Sequence, residues 1–129
     1  MTQEQRNKEF IINYVSTLSN TKPTRDLLEK YMTDEALIGH IEFFEAAFPG
    51  YEIQIDEMIA EGNRVVIQGR FKGTQLGEFS GIRPTGKTVE FPVVVRYEIE
   101  DDKIVNHWSL ADQMSMMEQL GVLPSEVLS

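Results

Sequence analysis

The residue best suited to acid/base chemistry in this 129-residue sequence is Asp112, a carboxylate at the end of an apolar stretch. Residues 103–112 alternate in a way that predicts the last strand, and Asp112 shares strand parity with Trp108 and Leu110. If this face points inward, the carboxylate stands in an apolar wall, where desolvation makes it a stronger base. Such a base could remove a proton next to a carbonyl group, and positioned acid/base groups contribute on the order of 10²–10⁴-fold in rate.

The alternative for Asp112 is structural. A short helix is predicted from Met114 to Leu120, and Asp is a frequent N-cap residue. Ser115 and Glu118 offer a competing capping box for the same helix. The sequence alone leaves the choice between a catalytic base and a helix cap open.

The two histidines are the other candidate catalytic residues. His107 has the opposite parity to Asp112, so strict alternation turns it away from the interior and favours a structural or interface role, unless a bulge reverses it. His40 opens the predicted third helix beside Gly39. There it either lines a pocket mouth and orients a polar group or is an exposed residue of the first turn. Because only two histidines exist and no H-x-H or E-x-x-H motif is present, we predict no dedicated zinc or iron site.

Composition and motifs argue against several other functions. There are no cysteines, which removes disulfides, thiolate metal sites and cysteine nucleophiles. No serine lies in a G-x-S-x-G motif, and G-E-F-S-G at 77–81 lacks the spacing of a nucleotide-binding loop. A net charge of −9 with scattered Lys and Arg disfavours nucleic acid as a partner. A polar N-terminus and short apolar runs predict no membrane partner and a cytoplasmic location.

Helices come before strands along the chain, which predicts an α+β fold in one domain of 129 residues. The first helix is predicted over 4–19, with Thr2 as N-cap and Gln5 completing a capping box. Two shorter helices are predicted to follow over 25–32 and 39–48. These helices must position any side chain that the strands turn inward.

From Tyr51 the apolar period changes to two, which is typical of strands. The predicted strands are Tyr51 onward, 64–72, 88–100 and 103–112. A hairpin turn is predicted at Glu61-Gly62-Asn63, and Pro92 indicates an edge position or a bulge. Gly121 and Pro124 are predicted to close the last helix.

A sheet that curls against helices leaves a cavity, and the apolar residues exceed what flat packing needs. We therefore predict a largely apolar pocket for a small hydrophobic molecule. Each candidate wall residue can equally be plain core. The candidates are Tyr14, Tyr31, Phe44, Trp108, Leu110 and Met114.

Four segments in order resemble the SnoaL-like branch of the NTF2-like superfamily. They are G-H-I-E-F-F-E-A-A-F-P at 39–49, I-A-E-G-N-R-V-V at 59–66, G-E-F-S-G-I-R-P-T-G-K at 77–87 and D-K-I-V-N-H-W-S-L-A-D-Q at 102–113, followed by Q-L-G at 119–121. The resemblance is specific for the fold because the pieces keep the order and gaps of the family. It says little about the substrate.

The resemblance implies a cone-shaped fold, in which a bent, mainly antiparallel mixed sheet wraps against three N-terminal helices and opens onto an apolar pocket. It also implies chemistry like that of polyketide cyclases, which close rings by intramolecular aldol condensation without a metal or organic cofactor. In those enzymes an Asp on the last strand is the acid/base, and Asp112 is the matching position. Related members isomerise, hydrolyse or only bind, and many are homodimers through the outer sheet face.

Three functions therefore stay open. One is a cofactor-independent cyclase, isomerase or hydrolase for a small hydrophobic carbonyl compound, with Asp112 as acid/base and His40 or another polar residue orienting the carbonyl. Another is a protein that binds a small hydrophobic molecule without turning it over, and the third is a dimeric interaction module whose cavity is incidental. An inward Asp112 with a polar partner within hydrogen-bond reach favours the enzyme, whereas an Asp112 that caps the helix favours binding.

Overall fold

A computed structural model of this chain describes residues 1–122 and confirms the α+β class, with helices packed on an open, curved antiparallel sheet. The elements are α1 (Gln3–Asn20), α2 (Arg25–Glu29), α3 (Glu35–Ala47), β1 (Glu52–Glu61), β2 (Arg64–Thr74), β3 (Thr88–Glu100), β4 (Lys103–Ala111) and α4 (Gln113–Leu120). Pro124, which was predicted to close the last helix, lies outside the described residues. None of the described helices combines the length and apolarity that crossing a membrane requires.

Local capping explains where the helices begin. The Thr2 hydroxyl accepts from the Gln5 backbone N–H at 3.1 Å, and the Gln5 side chain accepts from the Thr2 N–H at 2.9 Å, which confirms the predicted capping box. The prediction that α3 begins at Gly39 was wrong. The helix begins at Glu35, because the Asp34 side chain accepts from the Leu37 N–H at 3.1 Å and caps it.

The four strands form one sheet in the order β1-β2-β3-β4, and each neighbouring pair is antiparallel. The β1–β2 hairpin turns at Gly62-Asn63, which confirms the predicted hairpin although Glu61 still pairs with Arg64, and Gly62 adopts a φ of +58° that suits glycine in a tight turn. Within the described residues, the only parallel pairing is an isolated bridge between Met32 and Ile104. This bridge holds the segment before α3 against the start of β4.

The inner face of the sheet carries two apolar clusters. One joins α1, α2 and α3 to the half of the sheet around Val65 and Ile104. The other joins the end of α3 and α4 to the half around Phe71 and Phe91. Ile53 packs against both clusters, so the helices and the sheet meet along one continuous inner surface.

Helix α4 is fastened to β3 by a side chain. The amide of Gln119 donates to the Glu90 carbonyl at 2.7 Å and accepts from the Glu90 N–H at 2.7 Å. This imitates a strand pairing where β4 has already ended, since the last β3–β4 pair is Val93 with Ala111. The helix therefore covers the inner face at that end of the sheet.

A bulge in β4 decides which side chains reach the interior. Ile99 pairs with Ile104, but the preceding residue, Glu98, pairs with Asn106, so Val105 is an extra residue on β4. Because side chains alternate along a strand, one extra residue moves every later side chain to the opposite face. Ile104 points inward before the bulge, and odd-numbered residues point inward after it.

Candidate functional site

A cavity of about 220 Å³ lies between the inner face of the sheet and helices α1 and α3. Its walls are mostly apolar and aromatic, with Phe44, Phe71 and Phe91 among them. The polar side chains that line it are Tyr14, His40, Tyr51, Tyr97, His107, Ser109 and Gln113. A cavity with a few polar groups in an apolar wall is the usual form of a small-molecule site.

His107 lines this cavity, so the expectation from strict alternation that it points away from the interior was wrong, and the alternative of a bulge that reverses it is confirmed. The physical reason is the bulge at Val105, which turns His107, Ser109 and Ala111 inward. The His107 side chain retains only 11% of its exposure. The strand that was expected to present a carboxylate to the cavity therefore presents an imidazole.

Asp34 holds the ring of His107 from behind. Asp34 Oδ2 lies 2.7 Å from His107 Nδ1, and the Asp34 side chain is 8% exposed. Its other oxygen, Oδ1, accepts the Leu37 N–H and caps α3. One carboxylate thus fixes both the start of a helix and the orientation of an imidazole.

The chain topology brings these two residues together. Thr33 N–H donates to the Ile104 carbonyl at 2.9 Å, and the Ile104 N–H donates to the Tyr31 carbonyl at 2.8 Å. This parallel bridge runs the segment before α3 alongside β4. Asp34 lies two residues beyond Met32, while the bulge places His107 opposite it.

The Asp34–His107 pair has the arrangement of an oriented general base. With an ionised Asp34, the imidazole proton sits on Nδ1 and donates to the carboxylate, a tautomer that follows from this hydrogen bond. The other ring nitrogen, Nε2, then carries a lone pair. Within the described part of the chain no hydrogen bond occupies Nε2, which leaves it available to a molecule in the cavity.

His40 stands at the mouth of the cavity. It lines both the cavity and a neighbouring surface groove, and its ring stacks on Phe44 with centroids 4.9 Å apart. The His40 and His107 rings are 6.2 Å apart, edge to face. Burial, and then the positive charge that His107 can carry, lower the pKa of His40. His40 lies in the second turn of α3, so the expectation that it opens the helix was wrong. It is exposed and also lines the cavity.

Asp112 does not line the cavity. Its side chain is exposed and caps α4 by accepting the Ser115 N–H at 3.0 Å. The prediction of a carboxylate in an apolar wall was therefore wrong in its geometry, and the capping alternative is confirmed. The competing capping box that starts at Ser115 is also ruled out, because α4 already begins at Gln113.

The predicted wall residues divide into two groups. Tyr14 and Phe44 line the cavity, as does the edge of the otherwise exposed Leu110. The others do not. Trp108 and Met114 are 50% and 49% exposed, since the bulge turns Trp108 to the outer face. Tyr31 packs on the rings of Phe10 and Tyr14 outside the cavity, and its hydroxyl donates to Thr17 at 3.3 Å.

The sequence reasoning missed Asp34, Tyr51 and Tyr97 as site residues. Asp34 had a detectable signal, since an Asp followed by E-A-L is a good helix start. Its pairing with His107, which is 73 positions away, had none. Among the described residues, no three His, Asp or Glu side chains converge as a metal site requires.

Comparisons with known proteins agree with this architecture. Residues 19–120 match the family model of the SnoaL-like polyketide cyclases. AclR, a candidate hydroxylase from Streptomyces galilaeus, superposes with a TM-score of 0.81 at 23% identity, over 98% of this chain and 89% of AclR. A candidate SnoaL-like polyketide cyclase from Jannaschia sp. CCS1 gives a TM-score of 0.82 at 23% identity, over 96% of this chain and 98% of its own.

A third similar structure is TsrD from Streptomyces laurentii, with a TM-score of 0.80 at 18% identity, over 95% of this chain and all of TsrD (100%). At these identities the structural likeness establishes the fold alone. No curated protein matches this chain in sequence.

Proposed function

Because this chain belongs to the SnoaL-like polyketide cyclase family, we propose that it is a cofactor-independent enzyme that performs acid/base chemistry on a small hydrophobic carbonyl compound. The observation that carries the proposal is the Asp34–His107 pair, which presents an oriented imidazole to an apolar cavity. Family membership supports the reaction class. The geometry supports His107, rather than Asp112, as the acid/base.

The proposed reaction begins with proton transfer to His107. Nε2 takes a proton from the carbon next to the carbonyl, and the C–H electron pair moves into the carbonyl group to form an enolate. In ring closure the enolate carbon attacks a second carbonyl carbon of the same molecule, and a C–C bond forms. The new alkoxide takes the proton back from His107. Atoms and charge balance without a co-reactant, and the imidazole returns to its starting form.

The environment of His107 favours this use. Asp34 keeps the Nδ1–H donor in place, so the lone pair on Nε2 faces the cavity and the imidazolium that forms is stabilised by a buried carboxylate. Apolar walls exclude water, which strengthens each electrostatic contact to a bound molecule. The aromatic lining also suits a flat, ring-forming substrate.

The polar residues in the cavity, rather than the fold, decide the reaction. Among similar structures, AclR is named as a candidate hydroxylase and the Jannaschia protein as a candidate cyclase, although both superpose equally well. Since one fold carries different names, the reaction depends on the polar residues that each chain places in its cavity. In this chain they are His107 and its neighbours.

The second candidate is a protein that binds a small hydrophobic molecule without turnover. The observation that favours it is the position of Asp112, which caps α4 outside the cavity and leaves His107 as the principal acid/base candidate. Both candidates require a ligand in the cavity. They differ in whether a bound carbonyl compound exchanges its protons.

Hydrogen–deuterium exchange tests the proposal without knowledge of the natural substrate. The probe is 2-tetralone in D₂O, whose protons next to the carbonyl are followed by proton NMR. We expect the protein to accelerate exchange and His107→Gln to slow the protein-dependent rate by about 10²-fold or more. Glutamine can still donate to Asp34, so the fold has a replacement for the lost bond.

Asp112→Asn is the matched control, because it also changes a capping aspartate but leaves the cavity untouched. Its exchange rate should equal that of the unmodified protein. An equal rate in His107→Gln would contradict the proposed role of His107. Saturable binding of 2-tetralone with no accelerated exchange would instead support the binding function.

A further inference from the structure

Three tyrosines from different parts of the chain line the cavity: Tyr14 on α1, Tyr51 just before β1 and Tyr97 on β3. We call them the cavity tyrosines. They are 3%, 7% and 5% exposed, respectively. Such burial is unusual for a phenol unless its hydroxyl has a hydrogen-bond partner. Each of these three hydroxyls is therefore expected to have a hydrogen-bond partner.

Within residues 1–122, no hydroxyl of the cavity tyrosines has a hydrogen-bond partner on the protein. None of the three oxygens is completely enclosed either, since among the described residues the fully enclosed side-chain N and O atoms without a partner are on Asn7 and Arg96. The fourth tyrosine, Tyr31, lies outside the cavity and does have a partner, Thr17. Hydroxyls without protein partners are thus confined to the tyrosines that a molecule in the cavity can reach.

The cavity tyrosines share one region beside the proposed base. The rings of Tyr14 and Tyr97 meet edge to face with centroids 6.0 Å apart. Tyr97 is the direct cross-strand partner of His107 on the inner face of the sheet. Tyr51 is held by stacking on Phe71 at 4.8 Å. The rings are therefore fixed by packing rather than by hydrogen bonds of their hydroxyls.

Burial also keeps these hydroxyls protonated. It is the largest cause that raises the pKa of each, and the neighbouring tyrosines raise the pKa of Tyr14 and Tyr97 further. Each hydroxyl consequently remains a neutral donor across the physiological pH range. Fixed donors in a water-poor site are well suited to an oxygen that gains negative charge.

We infer that the cavity tyrosines form an oxygen-binding subsite, which takes the carbonyl oxygen of the ligand and stabilises it as an enolate. The ligand class is then an aryl or polycyclic ketone whose oxygen lies deep in the cavity and whose adjacent carbon faces His107. This inference rests on the proposed use of the cavity, but it concerns binding and needs no turnover.

The test compares two ligands that differ only in the oxygen-bearing group. The probes are 2-acetylnaphthalene, which has a carbonyl, and 2-ethylnaphthalene, which has nearly the same shape without one. We expect the ketone to bind about tenfold more tightly, as one or two net hydrogen bonds provide. Changing Tyr14, Tyr51 or Tyr97 singly to Phe should reduce this preference, while each ring and its packing are kept.

Tyr31→Phe is the control, because Tyr31 has a partner on α1 and does not line the cavity. Its preference for the ketone should match that of the unmodified protein. A second readout is the carbonyl stretching band of ¹³C-labelled 2-acetylnaphthalene, which should move to lower frequency on binding than in bulk water and return in the Phe variants.

Equal dissociation constants for the two probes, or an unchanged preference in all three Phe variants, would overturn the inference, as would failure of both probes to bind. These outcomes are separate from the exchange experiment. If the protein prefers the ketone as expected but shows no His107-dependent exchange, the oxygen-binding subsite is supported and the proposed catalysis is contradicted.

Discussion

Asp34→Asn separates the two tasks that the structure gives to Asp34. Asparagine caps helices as well as aspartate does, so its side-chain oxygen should still accept the Leu37 N–H. Its amide nitrogen, however, carries protons and would face His107 Nδ1 at the 2.7 Å contact. The imidazole can meet a donor there only by moving its proton from Nδ1 to Nε2. The nitrogen that faces the cavity would then no longer be a base.

The size of the effect follows from the contact. A hydrogen bond to a charged group contributes about 1.5–3 kcal/mol, and a neutral replacement restores about 0.5–1.5 kcal/mol. Because the two side chains are 11% and 8% exposed, little of this is lost to solvent. We expect a net destabilisation of about 1.5 kcal/mol, which lowers Tm by about 6 °C in a chain of this size. The exchange rate of 2-tetralone should fall by about 10²-fold or more.

The assay is nitrogen-15 NMR of the imidazole, which reports directly which ring nitrogen carries the proton. When the imidazole of His107 is neutral, its proton should be on Nδ1 in the unmodified protein and on Nε2 in Asp34→Asn. Asp112→Asn is again the matched control, since it alters a capping aspartate with no histidine partner. The reasoning is refuted if Asp34→Asn keeps the proton on Nδ1, as Asp112→Asn should, or if Asp34→Asn exchanges the protons of 2-tetralone at the rate of the unmodified protein.

Three further predictions follow from charge and exposure. The cavity tyrosines have a raised pKa in the folded state, so the free energy of unfolding should hold below about pH 10 and fall above it by about 1.4 kcal/mol per pH unit for each tyrosine. In an alkaline titration, tyrosinate absorbance should therefore rise in step with unfolding. His40 has a lowered pKa, so stability should fall as pH drops below about 6.5, and urea titrations should show a smaller fall in His40→Gln. On the outer face, a row of paired residues crosses the sheet from Ile59, which is 67% exposed, through Val66 and Arg96 to Trp108. We expect two copies of the chain to form a homodimer through this row. Trp108→Glu should convert the dimer to a monomer in sedimentation velocity. The first prediction is contradicted if unfolding precedes tyrosinate formation, and the second if the unmodified protein and His40→Gln lose the same stability in acid. The third is contradicted if the unmodified protein is a monomer at micromolar concentration.

Much of the fold could be predicted because local physics dominates it. The alternation in β3 gives its bounds, Thr88–Glu100, without any tertiary information. Capping chemistry likewise locates the start of α1. The start of α3 was missed because its first turn is fixed by the cap at Asp34, whereas the apolar stripe used for the prediction begins later, at Ile41.

Pro92 shows how a local rule can hold within an unexpected setting. Its sequence context predicts an edge position or a bulge, yet β3 is a central strand whose pairing with β2 is regular at Pro92. The last pair between β3 and β4 is Val93 with Ala111, so Pro92 lies just past the end of β4. Its carbonyl still accepts the Asp112 N–H at 3.0 Å. The position is therefore a local edge, and the missing N–H of proline interrupts no ladder there.

The candidate site could not be predicted, because it depends on one extra residue in β4. Apolar Ile104, Trp108 and Leu110 share even numbers, and a period of two places them together on the inner face. The register with β3 shows otherwise, since Val105 has no partner and the later residues exchange faces. Only cross-strand pairing reveals such a bulge. His107, which the bulge turns inward, is also the residue that forms a hydrogen bond with Asp34, 73 positions earlier in the chain. A prediction from alternation thus fails at the bulge at Val105, which is the irregularity that turns the His107 side chain toward the cavity.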